Sequence, residues 1–178
     1  MHYENDIKLV EACLHNDRTA QKRLYEQYAP QMMAVASRYV GDYEQAQDVL
    51  QEAFIKIFTS LDCYQGKGAL EHWVRRIVVN VALEMLRRNN VLDDCVSCEE
   101  AIYVPTNEET IVDRMSADEL IAIISSLPVG YRTVFNMYAI EGYSHKEIAQ
   151  HLGINEASSR SQYNRARAMI QKKIGQID

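Results

Sequence analysis

The stretch Ser144–Lys173, SHKEIAQHLGINEASSRSQYNRARAMIQKK, decides the reading of this chain. Ser144 and Glu147 have the spacing of a capping box, in which each side chain satisfies backbone donors at a helix start. Ile148, Ala149 and Leu152 then mark one apolar face, and Gly153 supplies the turn residue that ends a helix. Ile154 is apolar again, and Asn155 is a good N-cap for a second helix carrying Arg160, Arg165, Arg167, Lys172 and Lys173. A short helix, a Gly-containing turn and a basic second helix match a helix-turn-helix, whose second helix enters the DNA major groove. The stretch favours DNA binding over an ordinary helical hairpin with a solvated charged face.

Outward from this stretch, composition sets limits. A chain of 178 residues accommodates one medium domain or two small ones. Prolines and glycines are few, and apolar residues recur at helical rather than alternating spacing, so the fold class is all-α. No apolar run approaches the ~18 residues of a membrane span. The opening MHYENDIKLVEACLHND carries early acids and no long apolar core, unlike a secretory signal. Four cysteines without an export signal suggest reduced thiols in a cytoplasm.

A net charge of -6 sits oddly with DNA binding until it is located. Residues 1–92 are nearly balanced, with 11 basic and 12 acidic side chains, and residues 116–178 hold 7 basic and 6 acidic. Residues 93–115 hold Arg114 alone against seven acids, and so carry the whole excess. That segment lacks a sustained apolar period and contains Pro105, which marks an acidic flexible linker between two small helical domains. The expected boundaries are therefore 1–92, 93–115 and 116–178, the last domain containing the helix-turn-helix.

In the first domain the spacing predicts a short helix over Asn5–His15, with Ile7, Val10 and Leu14 on its buried side. A longer helix from about Thr19 to Val40 buries Leu24, Tyr28, Met32, Val35 and Tyr39, is kinked by Pro30 and ends at Gly41. Asp42 and Gln45 open a third helix with an apolar stripe of Ala46, Val49, Leu50, Ala53, Phe54 and Ile57. Its opposite face, Gln47, Asp48, Gln51, Glu52 and Lys56, is either solvated or a docking face, and spacing alone leaves both open. After the loop Asp62–Gly68, a fourth helix from about Ala69 to Arg88 has Leu70, Trp73, Val74, Ile77, Val81 and Met85 as its core stripe. Another face of it gathers His72, Arg76, Asn80 and Arg87, side chains suited to phosphates and exposed bases or simply to solvent.

The segments AQDVLQEAFIKIF (Ala46–Phe58), GALEHWVRRIVVNVALEMLRR (Gly68–Arg88) and YSHKEIAQHLGINEASSRSQYNRARAMI (Tyr143–Ile170) together resemble one family. It is the extracytoplasmic-function sigma factors, compact bacterial initiation subunits of RNA polymerase. The resemblance spans both domains in order, with a linker between.

The resemblance implies roles, segment by segment. The D-x-x-Q-E helix would dock on the clamp coiled coil of core polymerase through Asp48, Gln51 and Glu52. The following loop and helix would recognise and open the minus-ten promoter element through Tyr64, Lys67, Arg76 and Asn80. A flipped base there needs a polar pocket and stacking surfaces, and its backbone needs cations. In the last domain, Ser116 and Glu119 would cap a helix bearing Leu120, Ile124 and Leu127, and Tyr131, Val134, Phe135 and Tyr138 would line the next. These support a recognition helix reading the minus-thirty-five element through Arg160, Ser161 and Asn164, with Arg165 close by; Arg pairs with guanine and Asn with adenine. Implied partners are bacterial RNA polymerase core (clamp coiled coil and flap), promoter DNA and, as is common in the family, an anti-sigma factor. Ser159 stands where the family usually has a buried aliphatic residue, and Gln162 where it is often basic.

No cofactor, metal or catalytic residue is implied. Cys95 and Cys98 form a lone C-x-x-C; zinc would need two further ligands, for which His72 and Cys63 are loose candidates, and a redox switch would need a depressed thiol pKa, so inert thiols are the favoured reading. The chain has no glycine-rich phosphate loop, nucleophile elbow or paired histidines, so it is not read as an enzyme. A stand-alone helix-turn-helix regulator would leave the D-x-x-Q-E helix and the Trp73 helix without a purpose. The acidic segment is read either as a strand occupying a basic channel of polymerase or as a plain tether.

Overall fold

Each helix of this protein is built by an amphipathic stripe, and the residues that interrupt the stripes set where the helices stop. The structure, a computed structural model, describes residues 2–89 and 117–175. Among these residues every regular element is helical. The chain divides into two units, residues 1–85 and 86–178, the division falling near the end of the fourth helix.

In the first unit, α1 (His2–Leu14), α2 (Arg18–Val40), α3 (Tyr43–Thr59) and α4 (Leu70–Arg88) follow one another, with a short 3₁₀ turn at Leu61–Cys63. The Asp17 carboxylate caps α2 by accepting from the amides of Thr19 at 2.8 Å and Ala20 at 3.3 Å. Gly41 ends α2 at φ 75, a conformation open to glycine, and its amide donates to the Ser37 carbonyl. Asp42 then caps α3 by accepting from Gln45 N at 2.9 Å, so one two-residue hinge stops one helix and starts the next. The five expected positions of α2 and all six of α3 are buried. Pro30, expected to kink α2, lies inside a helix that continues without a break.

Two stripes differ from expectation. On α1 the buried side is Asp6, Val10 and Cys13, whereas Ile7 and Leu14 are 42% and 46% exposed. The reason is a polar contact across the unit: the Asp6 carboxylate accepts from Leu70 N at 3.3 Å and so caps the start of α4. On α4, Trp73, Ile77 and Met85 are only half-buried, and the fully buried set includes Val78, Val79 and Ala82 beside Leu70, Val74 and Val81.

The second unit holds α5 (Ala117–Ser125), α6 (Val129–Phe135), a π turn (Asn136–Ile140), α7 (His145–Leu152) and α8 (Glu156–Ile174). Ile123, Ile124 and Leu127 meet Ala166, Ile170 and Ile174 in one core, with Leu120, Tyr131 and Phe135 packed against it. Arg132 is buried, and its Nη1 donates to the Ser125 carbonyl at 2.6 Å, placing a cation at the α5 C-terminus where the helix dipole favours it. The wider π turn breaks the 3.6-residue period. Asn136 and Met137 are buried, and Tyr138, expected on the lining, is exposed. Ser116, the linker 93–115, Cys95 and Cys98 lie outside the described residues. Among the described residues no helix is long and apolar enough to cross a membrane.

Candidate functional site

The helix-turn-helix is assembled from caps. Ser144 N donates to Glu147 Oε2 at 2.8 Å, and Glu147 N donates to Ser144 Oγ, completing the capping box of α7. Gly153 takes φ 69 to end α7, and the Asn155 side chain accepts from Ser158 N at 2.6 Å to begin α8. The inward stripe of α8 is Ser159, Gln162, Ala166, Ile170 and Ile174, at spacings that return to one face of a helix. Gln162, which stands where the family is often basic, is therefore turned into the unit.

Arg160 and Asn164 are exposed one turn apart, and Ser161 is half-buried beside them. Arg160 pairs with Glu156 one turn earlier on α8. Arg165 is drawn away from this face, because its Nη1 donates to the Tyr131 hydroxyl at 3.2 Å. Arg167 lies 6.0 Å from the centre of the Tyr163 ring, a loose cation–π distance. His145, the first residue of α7, was not picked out from sequence. Its ring stacks on Tyr138 at 4.2 Å, and its Nδ1 is hydrogen-bonded to Ser159 Oγ at 3.0 Å. Burial pushes the imidazole below its ordinary pKa, the Arg160 cation adds to this, and Glu156 opposes it. No spacing rule flags such a residue, since a histidine after a cap is ordinary surface composition.

In the first unit, Asp48 and Gln51 stand exposed on α3, while Glu52 is half-buried. Lys56 Nζ reaches both Glu52 at 3.2 Å and Glu84 of α4 at 2.6 Å, so Glu52 shares its charge with a bridging lysine. The two carboxylates hold the Lys56 ammonium above its ordinary pKa. Beside this polar face runs an apolar groove of about 830 Å³ between α2 and α3, floored by Tyr25, Met33, Leu50 and Phe54 and rimmed by Gln47 and Gln51. Tyr25 and Phe54 meet edge to face at 4.7 Å, and Tyr43 and Ile55 stand 64% and 59% exposed at its edge. Sequence reasoning missed this groove, although Tyr43 and Ile55 were visible as apolar residues lying off the core stripe of α3.

The loop before α4 is closed on itself. The Tyr64 hydroxyl donates to the Gly68 carbonyl at 2.8 Å, and its ring lies 5.8 Å from that of Trp73. Lys67 and Arg76 are exposed and Asn80 is half-buried, with His72 and Arg76 one turn apart on the same side. Arg75, by contrast, is paired with Glu71 at 3.2 Å. Among the described residues no three His, Cys, Asp or Glu side chains gather as a metal site would.

A capped helix-turn-helix with exposed Arg160 and Asn164 defines the second unit as one of the helix-turn-helix class. The comparisons with known proteins place the whole chain. The sigma-70 region 2 family matches residues 24–91, and the sigma-70 region 4 family matches residues 117–170. The RNA polymerase sigma-H factor of Pseudomonas aeruginosa is 32% identical over 96% of this chain and 94% of its own length. The ECF RNA polymerase sigma-E factor of Escherichia coli K12 is 34% identical over 95% of this chain and 94% of its own. The fold is shared with the sigma factor RpoE of Bartonella quintana, solved with the anti-sigma factor NepR, at TM-score 0.53 and 20% identity over 88% of this chain and 97% of that one. It is shared too with CnrH, solved with the cytosolic domain of CnrY, at TM-score 0.51 and 21% identity over 97% of this chain and 99% of that one. The chain belongs to the extracytoplasmic-function family of RNA polymerase sigma factors, and directs transcription initiation at promoters. Its relatives are transcription regulators.

Proposed function

We propose that this sigma factor divides its work among three segments. Residues 1–92 dock on core polymerase and recognise and open the minus-ten element, residues 93–115 connect, and residues 116–178 read the minus-thirty-five element. The protein performs no chemistry itself and acts in the cytoplasm, where polymerase and promoter DNA are its partners and an anti-sigma factor its regulator.

Docking falls to Asp48, Gln51 and Glu52 against the clamp coiled coil, while the polymerase flap meets the second domain. The groove beside Gln51 extends this docking face, giving a helical partner apolar surface to bury next to a polar rim. At the minus-ten element, Lys67 and Arg76 meet phosphates and Asn80 meets an unstacked base. Tyr64 contributes by fixing the loop against Trp73 rather than by a free hydroxyl. At the minus-thirty-five element, Arg160 and Asn164 read base edges, Ser161 lies alongside, and Arg165, tied to Tyr131, braces the helix near the backbone.

The observation that carries the reading is the outward face of α8, where Arg160 and Asn164 are exposed while Ser159, Gln162, Ala166, Ile170 and Ile174 seat the opposite face in the unit. The test is transcription with bacterial core polymerase on a randomised promoter library, with and without this protein. Defined start sites should appear only with it. Arg160→Ala should lose about tenfold or more on promoters with an intact minus-thirty-five element, the worth of one good base contact at ~1–3 kcal/mol. Asn80→Ala should lose open-complex formation instead. Start sites indifferent to both substitutions would refute the assignment.

A further inference from the structure

Ser159 has no exposed surface, and a buried hydroxyl needs a partner. The partner comes from the other helix of the motif: His145 Nδ1, at 3.0 Å. The same imidazole lies flat on Tyr138, 4.2 Å between centres and 11° between planes, and meets the edge of Tyr163 at 5.8 Å and 61°. Tyr138 and Tyr163 also touch each other, at 4.6 Å. One side chain therefore joins three elements: the π turn, the first residue of α7, and α8.

The placement of the two anchors on α8 matters. Ser159 directly precedes Arg160, and Tyr163 directly precedes Asn164. A hydrogen bond and a ring contact one turn apart fix the rotation of α8 about its own axis. Because neighbouring residues on a helix project about 100° apart, the same two constraints fix the direction of Arg160 and Asn164. An aliphatic residue at position 159 would fill the space without specifying that rotation, since dispersion contacts are not directional.

We propose that His145 and Ser159 form a positioning pair that sets the angle at which α8 presents Arg160 and Asn164 to DNA. This rests on the assignment of α8 to the minus-thirty-five element. His145 and Ser159 touch no base themselves; they act through the helix.

The test uses holoenzyme reconstituted from core polymerase and the full chain, and a duplex promoter fragment recovered by the wild-type holoenzyme from a randomised library. Affinity is measured for that fragment and for a copy with a scrambled minus-thirty-five element, with the unfolding midpoint of each variant alongside. His145→Phe leaves the buried Ser159 hydroxyl without its partner, Ser159→Ala frees the half-buried His145 ring from α8, and each should weaken binding to the intact fragment by about five- to tenfold. Neither should change binding to the scrambled copy. The double variant should lose about as much as the worse single variant and no more, because either substitution already breaks the one contact that sets the rotation. His145→Asn, whose amide can still meet the Ser159 hydroxyl, should lose less than His145→Phe. Losses that multiply in the double variant, or that are equal on the two fragments, would overturn the pair. Arg160→Ala separates the two ideas: if it too fails to distinguish the fragments, the assignment of α8 falls and the pair with it. If Arg160→Ala distinguishes them and the pair variants do not, only the pair falls.

Discussion

Single residues with polar side chains turned inward set much of the local behaviour. His145 titrates below the ordinary histidine value of 6.5, through burial and Arg160, against the opposing Glu156. Among the groups around it, Tyr138 comes from the π turn, and Tyr163, Ser159, Arg160 and Glu156 from α8. A depressed pKa means that the unfolded chain binds the proton more readily, so the contribution is complete above pH 6.5 and is lost as pH falls below it. Thermal unfolding of the second unit should therefore lose stability between about pH 7 and pH 5, and His145→Phe should flatten that part of the profile. A wild-type profile that is flat, or that runs the other way, would contradict this. In the first unit, Asp6→Ala should cost about 1 kcal/mol by uncapping α4, and Asp6→Asn, which keeps an acceptor, should cost less. Urea unfolding followed by the fluorescence of Trp73, the sole tryptophan, reports on this unit directly.

Helices are the scale at which the sequence was most legible, and the failures have physical causes. All six apolar positions of α3 could be read because they repeat at 3.6 residues with no polar member, and the α7–α8 turn because Ser144, Glu147, Gly153 and Asn155 each have a specific capping chemistry. The face of α1 could not, because Asp6 occupies an inward position that hydrophobic pattern scores as outward. Of the lining read on α6 and the π turn, Val134 is buried and Tyr131 and Phe135 pack on the core, while the extra residue per turn carries Tyr138 outward and Arg132 is buried to meet a helix end. The candidate site followed the same rule. Arg160 and Asn164 lie where helical spacing puts them, whereas the turning-in of Gln162 and the tethering of Arg165 depend on Tyr131 and on the depth of α8 in its unit. At this scale the hinge Gly41–Asp42 makes a sharp expectation. Gly41→Ala, at φ 75, should destabilise by about 1 kcal/mol, and Asp42→Ala by a similar amount, read as shifts in urea midpoint at unchanged slope.

Taken as a whole, the molecule carries its negative excess in residues 93–115 and is nearly balanced elsewhere. In neither domain do cations outnumber acids by more than one, and several are already engaged: Lys56 with Glu52 and Glu84, Arg75 with Glu71, Arg160 with Glu156. Few neutralised phosphates mean weak non-specific affinity and a shallow dependence on ionic strength. The free chain should therefore bind a promoter duplex far more weakly than the holoenzyme does, with a log–log salt slope of only about -2 to -4 for two to four phosphate contacts. Tight binding by the free chain at physiological salt would show that the cations are arranged otherwise.

The cap that Asp6 places on α4 also has a consequence in time. Its carboxylate is made among the first residues of the chain, and the amide of Leu70 that it meets follows 64 residues later. At bacterial elongation rates that is an interval of roughly 3–13 s, before any allowance for passage through the ribosomal tunnel. During it α1 can already pack on α2, but its inward carboxylate has no Leu70 amide to meet. The start of the fourth helix of this sigma factor is thus capped by a residue that has waited in the chain since the first helix was made.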